Sequence, residues 1–395
     1  MRRKALALSL LVILLASVVS GCIGGGGTKT ITVTKTIGPE EDTSTPTSSA
    51  SPSSMATETH TTTSEAMATE TVTPPEDKNV IQADCSEDSW KNDYEQAIVC
   101  GVQEGFRDLV VPSDFGVHTN NKTKVPLEFA EFLGNKIYLD VKKENQSMIQ
   151  GEYFGIQTPI ELLMHRKGTY ADFAIAGAYV FLYEGLDTYV IYIKTEKGIG
   201  LFPGFRFKEK YYDRIFVVYW PYLIPITLGG TVELLNIAGD PVQEIKLYHL
   251  WRDGGSVKAK LETSVEPGPL IPAYLTSASS DYFDNQGWVK LDMMEKLPEV
   301  LQQDNPQCKY VESTDDIYYR NLKEYEVNVP LMLYLYSKTY QDQWTDILAK
   351  AAYEYLKQQG FDVQKCRKFT LLDVSPSVFV KGGMYIRIYA EMPES

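Results

Sequence analysis

From about Asn79 onward, apolar and polar positions fall into short segments with clear punctuation, and both helical and strand periods can be read. The stretch "SWKNDYEQAIVCGVQEGF" predicts a helix capped by Ser89 that ends near Gly101 or Gly105. "EFAEFLGNKIYLDV" predicts a short helix stopped at Gly134 and a strand over residues 136–141. In "QTPIELLMHRKG", Thr158 stands as N-cap, Pro159 opens the helix, Glu161 completes a capping box and Gly168 ends it. Thr169 and Asp172 form a second box, so the next helix covers residues 170–184 and stops at Gly185. Its Ala171, Ala174 and Ala178 recur at helical spacing, a small-residue face suited to close packing.

The runs "TYVIYIKTE", "IFVVYWPYLIP", "TVELLNI" and "EIKLYHLW" predict strands. Turn residues cluster in "RDGGSVKAK" and "EPGPLIPAY", which places a boundary at residue 255. Beyond it come a strand in "NVPLMLYLYS", a helix over residues 341–359 stopped by Gly360, and strands near "KFTLLDV" and "MYIRIYAEM". Trp344, Ile347, Leu348, Ala351 and Tyr355 share one face of that helix. Helices followed by consecutive strands read as α+β rather than as repeated βαβ units. With roughly 315 globular residues, more than a single core usually serves, two units are expected, residues 79–255 and 256–395.

Ahead of them the pattern changes. Arg2, Arg3 and Lys4 precede an apolar run over residues 5–20, which matches a secretory signal, and Ser20 and Gly21 before Cys22 resemble a lipoprotein signal. Cys22 is then the lipidated residue; an uncleaved anchor helix is the alternative. Either one holds the rest of the chain at the outer face of the cell membrane, with the basic end inside. Residues 23–78 are rich in Thr, Ser and Pro, too polar to offset the entropy of ordering, and are expected to form a disordered, O-glycosylated or naked stalk. Asn121 and Asn145 lie in Asn-x-Thr/Ser sequons, glycosylation candidates at an external surface.

The net charge of −14 argues against a nucleic-acid partner and against docking on anionic lipid. Besides Cys22 there are Cys85, Cys100, Cys308 and Cys366, none at metal-ligand spacing, so two disulfides and no zinc site are expected. Three connectivities are open, and Cys85–Cys100 with Cys308–Cys366 is the sequence-local one. No phosphate-binding loop, metalloprotease motif or nucleophile elbow occurs, and of four histidines His60 lies in the stalk, leaving His118, His165 and His249. Nothing implies a cofactor.

One constellation remains. "TPIELLMHRKGTYADFAIAGAYVFLYEGLDTYVIYI" resembles the core of the transglutaminase-like superfamily, through Thr158, Pro159, Arg166, Gly168, Asp172, Phe173, Ala174, Gly185 and the strand from Tyr189. It is similar in particular to archaeal transglutaminase-like membrane proteins. The resemblance implies a papain-like core, a helix packed on an antiparallel sheet, followed here by a C-terminal α+β extension. It also implies a cysteine at the helix start, activated by the dipole and a histidine whose tautomer an aspartate fixes. Here Tyr170 takes the cysteine position, "LFPGFRFKEK" has no histidine, and Tyr219 takes the aspartate position. A phenol of pKa about 10 at a helix N-terminus gains less than one unit from the dipole and stays protonated.

The resemblance therefore implies a pseudoenzyme, whose cleft at Tyr170, Asp172, Tyr219 and Trp220 would bind a cell-surface peptide or glycan or act as a scaffold. His249, in "LYHLWRD", is the alternative histidine, at a displaced position. The rival readings are a cysteine-independent peptidase or amidase using carboxylates such as Asp172, and a solute-binding lipoprotein, which would need repeated βα units.

Overall fold

The computed structural model describes residues 79–210, 212–265, 278–317 and 322–393. The expected signal, Cys22 and the whole of the stalk lie outside the described residues. A single turn of 3-10 helix, Asp88–Asn92, leads to helix α1 (Tyr94–Arg107). Asp93 caps it rather than Ser89, accepting from the N–H groups of Glu95 (2.9 Å) and Gln96 (3.3 Å). The helix passes through both expected stops because glycine here provides proximity, not a break. A Cβ on Gly105 would stand 2.6 Å from the ring of Tyr179.

Helix α2 (Val125–Lys136) is followed by a strand of only two residues, β1 (Tyr138–Leu139), and then by helix α3 (Val141–Gln150), where the sequence predicts a longer strand. Asp140 accepts from the Lys143 N–H at 3.2 Å and so converts the strand end into a helix start. Both capping boxes are formed. Helix α4 (Pro159–His165) starts at Thr158, and α5 (Tyr170–Tyr183) starts at Thr169. Between them β2 (Lys167–Gly168) pairs in parallel with β1.

The chain then lays down β3 (Asp187–Thr195), β4 (Ile199–Glu209), β5 (Tyr212–Val217), β6 (Ile226–Thr227), helix α6 (Leu228–Ile237), β7 (Val242–Asp253) and β8 (Ser256–Val265). The strands form one six-stranded antiparallel sheet in the order β6-β5-β4-β3-β7-β8. The predicted run "TYVIYI" lacks polar alternation because β3 is central and buried on both faces. Val190 and Tyr192 join the core beneath α5 and α1, while Tyr189, Ile191 and Ile193 join a second cluster beneath α6.

Two sequence expectations change here. "TVELLNI" is helical, not extended: the Thr227 hydroxyl accepts from the Gly230 N–H at 3.1 Å, and burial of Leu228 and Val232 against the sheet overrides the strand-like composition. The boundary at residue 255 falls inside the β7–β8 hairpin, so the first unit extends at least to Val265. The first described residues also pair with it, Val80 bridging Lys260.

Beyond this sheet come α7 (Ala278–Asp304), β9 (Lys309–Tyr310), β10 (Leu322–Val329), the single turn α8 (Met332–Leu335), α9 (Gln341–Gln358), β11 (Lys368–Pro376) and β12 (Met384–Glu391). The second sheet runs β10-β12-β11-β9, antiparallel except where β9 meets β11. The fold is thus α+β with two antiparallel-based sheets. Helix α9 buries Trp344, Leu348 and Ala351 as its periodicity predicts. The two units are not packed separately: Phe216 of the first sheet meets Tyr340 edge-on at 5.4 Å, and buried residues from both sheets join one cluster. The local disulfides are present, Cys85–Cys100 and Cys308–Cys366. No helix among the described residues is long and apolar enough to cross a membrane.

The contact that seats α5 on the sheet is at Gly177, where a Cβ would lie 2.5 Å from Pro203 Cβ and 2.9 Å from the ring of Phe129. Gly177→Ala is expected to cost about 1–3 kcal/mol through overpacking, read as a lower midpoint in urea unfolding. An unchanged midpoint would mean that α5 and β4 have room to separate.

Candidate functional site

The start of α5 is a dense hydrogen-bond node. Asp172 is fully buried, and its carboxylate accepts from the backbone N–H groups of Gln157 (2.7 Å) and Thr169 (2.6 Å). It also accepts from Gln157 Nε2 (3.0 Å) and the Thr169 hydroxyl (3.0 Å). Burial pushes this carboxyl above its usual range, and the surrounding donors oppose that. Asp172, expected to line the cleft, therefore stands behind it with both oxygens occupied.

The next N–H, that of Tyr170, donates to Glu144 Oε2 at 2.9 Å. Glu144 is a buried carboxylate on α3, and its Oε1 accepts from the Tyr153 hydroxyl at 2.9 Å. Burial raises the Glu144 carboxyl as well. The leading donor of α5 is thus already used by the protein, where a helix N-terminus otherwise offers an anion site.

The Tyr170 ring occupies the space in front of this node. It lies 5.4 Å from the ring of Phe202 and 5.9 Å from that of Tyr219, while Phe202 and Tyr219 are 5.0 Å apart. The three rings close a triangle. Phe173 meets Tyr170 from the helix side at 6.2 Å, and Tyr222 meets Tyr219 at 5.6 Å. The Tyr170 hydroxyl donates a long hydrogen bond to the Trp220 carbonyl at 3.4 Å and also interacts with the Tyr219 hydroxyl. Burial, then the neighbouring Tyr219 phenol and Glu144, push the Tyr170 phenol far above its usual value. Tyr222 is pushed up to about 12, chiefly by burial. Such phenols are neutral hydrogen-bonding rings, not nucleophiles.

Residues 111–201 match a family described as a transglutaminase-like domain. The match runs from the turn before α2 into the first residues of β4, and so includes Tyr170 and Asp172 but stops before Phe202 and Tyr219. No curated protein matches the chain. Across the matched stretch and the strands that continue it, the structure brings together the sequence-predicted Tyr170, Tyr219 and Trp220. The sequence reading missed Phe202, Tyr222, Glu144 and Gln157. Phe202 had a weak signal, since it lies in the stretch "LFPGFRFKEK" where the family's histidine is sought. Glu144 had none, because its role depends on α3 folding back over the start of α5.

The described histidines stand elsewhere. His118 is exposed; His165 is exposed with Nδ1 2.7 Å from Gln157 Oε1. His249 sits on β7 opposite Tyr189, its Nε2 2.9 Å from Asp187 Oδ1 and its Nδ1 3.4 Å from Glu262 Oε1. Glu262 also accepts from the Tyr189 hydroxyl at 3.2 Å. The Asp187 carboxylate, then Glu262, raise the imidazole above its ordinary 6.5 against the opposing effects of burial and Arg206.

Two outcomes follow. Because the Tyr170 hydroxyl bond to Trp220 is long and the half-buried ring packs against Phe173, Phe202 and Tyr219, Tyr170→Phe is expected to cost under about 1 kcal/mol and Tyr170→Ala about 3 kcal/mol, measured by chemical unfolding. A large loss in the phenylalanine variant would show that the hydroxyl, not the ring, holds the site. For His249, a raised folded value means that its stabilisation is full below pH 6.5 and is lost as pH rises through the folded value. The difference in unfolding free energy between the native chain and His249→Gln should shrink as pH rises above 6.5, and a difference flat across that window would exclude the ion pairs as its source.

Proposed function

We propose that the transglutaminase-like domain is a pseudoenzyme, retained as a peptide- or glycan-binding or scaffolding module on the outer face of the cell membrane. The observation that carries this reading is the closed triangle of Tyr170, Phe202 and Tyr219. A thiol enzyme of this superfamily needs a nucleophile at the helix start, an imidazole beside it and a carboxylate behind the imidazole. Here that volume holds three rings, two neutral phenols and a phenyl group. The Tyr170 N–H, engaged by Glu144, is closed to a developing oxyanion unless that carboxylate leaves.

The half-buried Tyr170, Tyr219, Trp220 and Tyr222 line the mouth instead. Aromatic faces of this kind take up the C–H faces of sugars or the apolar side chains of an extended peptide, with phenol hydroxyls as hydrogen-bonding tips. Placement outside the cell rests on the N-terminal signal pattern and fits the two disulfides, which persist in an oxidising compartment. The alternative, a peptidase or amidase using carboxylates such as Asp172, gains little from the geometry, because Asp172 already accepts from four donors and the nearby Glu144 is held by the Tyr170 N–H and the Tyr153 hydroxyl.

The full-length protein in detergent, incubated with a fluorescent amine and a glutamine-containing protein, is expected to release no ammonia and attach no amine above the blank. Turnover that persists after thiol alkylation and in Tyr170→Phe would replace this proposal with an active site elsewhere.

A further inference from the structure

The two sequons are equivalent in sequence and opposite in structure. Asn145 lies within α3, and the Ser147 that completes its sequon is fully buried, its hydroxyl without a partner among the described residues. To present that hydroxyl, α3 would have to unwind, and α3 also carries Glu144, which holds the start of α5. Asn121 is exposed on the loop before α2. Its Oδ1 accepts from the Thr123 N–H at 3.0 Å and from the Thr123 hydroxyl at 2.8 Å. Among the described residues, both side-chain hydrogen bonds of Asn121 fall on Oδ1. The amide nitrogen of this exposed residue is left without a hydrogen bond among the described residues, in a turn that already joins the two residues a glycan-transferring enzyme must read together.

We propose that Asn121 is the N-glycan acceptor of the folded protein and that Asn145 is not. Transfer joins Asn121 Nδ2 to the anomeric carbon of a lipid phosphate- or diphosphate-linked oligosaccharide. The glycosyl–phosphate bond breaks, the lipid phosphate leaves with the bonding electrons, and one amide proton passes to a base of the transferase. The hydrogen bonds from Thr123 to Oδ1 make the amide N–H more acidic, which eases the proton loss in this step. Its neighbour Lys122 reaches over to donate to the Gly185 carbonyl at 2.6 Å, so the loop is fixed to the end of α5 and holds the acceptor clear of the body. The inference rests on an extracytoplasmic location and on nothing else in the proposed function.

The test is peptide mass mapping of the full-length protein isolated from its own cells. Beforehand, protease accessibility of the chain in intact cells establishes its location independently. Given an external chain, the tryptic peptide spanning residues 108–122 should carry a glycan mass and the peptide spanning residues 144–166 its unmodified mass. Asn121→Gln and Thr123→Ala, both at surface positions, should each abolish the added mass. An external chain with an unmodified 108–122 peptide overturns the proposal, as does equal occupancy of both peptides, which would mean that acceptors are chosen before folding. An internal chain removes the location on which the inference stands and overturns both together.

Discussion

The Asp172 carboxylate is the constraint on which the geometry of the candidate site depends. It sits fully buried at the third position of α5 and ties two segments together, the turn ahead of α4 through Gln157 and the cap of α5 through Thr169. Burying a carboxylate is costly, and the cost is offset only where several donors converge on both oxygens. Four do so here, two from the backbone and two from side chains. Charge-assisted bonds of this type contribute about 1.5–3 kcal/mol each and leave the helix little freedom to rotate. The direction of Tyr170, two residues earlier, is therefore set before its ring meets anything.

What that ring meets is two further rings, Phe202 and Tyr219. A thiolate–imidazole–carboxylate set works through charge, needs polar partners and tolerates water. Three aromatic rings at 5.0–5.9 Å work through area and dispersion and exclude water. The polar groups that remain face away: Asp172 to its cap, Glu144 to Tyr153 and the Tyr170 N–H. The packing of these rings stabilises the site through buried aromatic area, offset in part by the desolvation of the two phenol hydroxyls. The half-buried ring edges stay open to solvent, and the Trp220 indole N–H is buried without a partner among the described residues.

Features governed by neighbours in sequence were legible beforehand. Both capping boxes, the small-residue face of α5, the amphipathic α9 and the local disulfides all depend on short spacings. Some expectations that changed have local causes, the Asp93 and Asp140 caps, and the others depend on distant contacts. "TVELLNI" has the composition of a strand and becomes α6 because Thr227 caps it and the sheet buries Leu228 and Val232. Gly254 and Gly255 looked like a boundary and are a hairpin turn, since only the pairing of β7 with β8 reveals which role a glycine pair serves. At the site, Tyr170 and Tyr219 were found through a motif, whereas Phe202 and Glu144 have meaning only after β4 and α3 are placed around α5. Asp172 was read correctly as a cap and incompletely as a cleft residue, because a spacing rule gives no depth.

The N-terminal strap has a mechanical consequence. Ile81 N–H donates to the Ala259 carbonyl and Leu261 N–H to the Asn79 carbonyl, so the chain enters along the outer edge of β8 before the Cys85–Cys100 bridge locks it to α1. A pull on the chain ahead of Asn79 loads those few hydrogen bonds first and then reaches a covalent stop at the bridge. Beyond the strap the load passes into α1 and on into α5, against which it packs. The N-terminal side of the domain therefore bears tension through a covalent bridge and a pair of packed helices rather than through sheet hydrogen bonds alone.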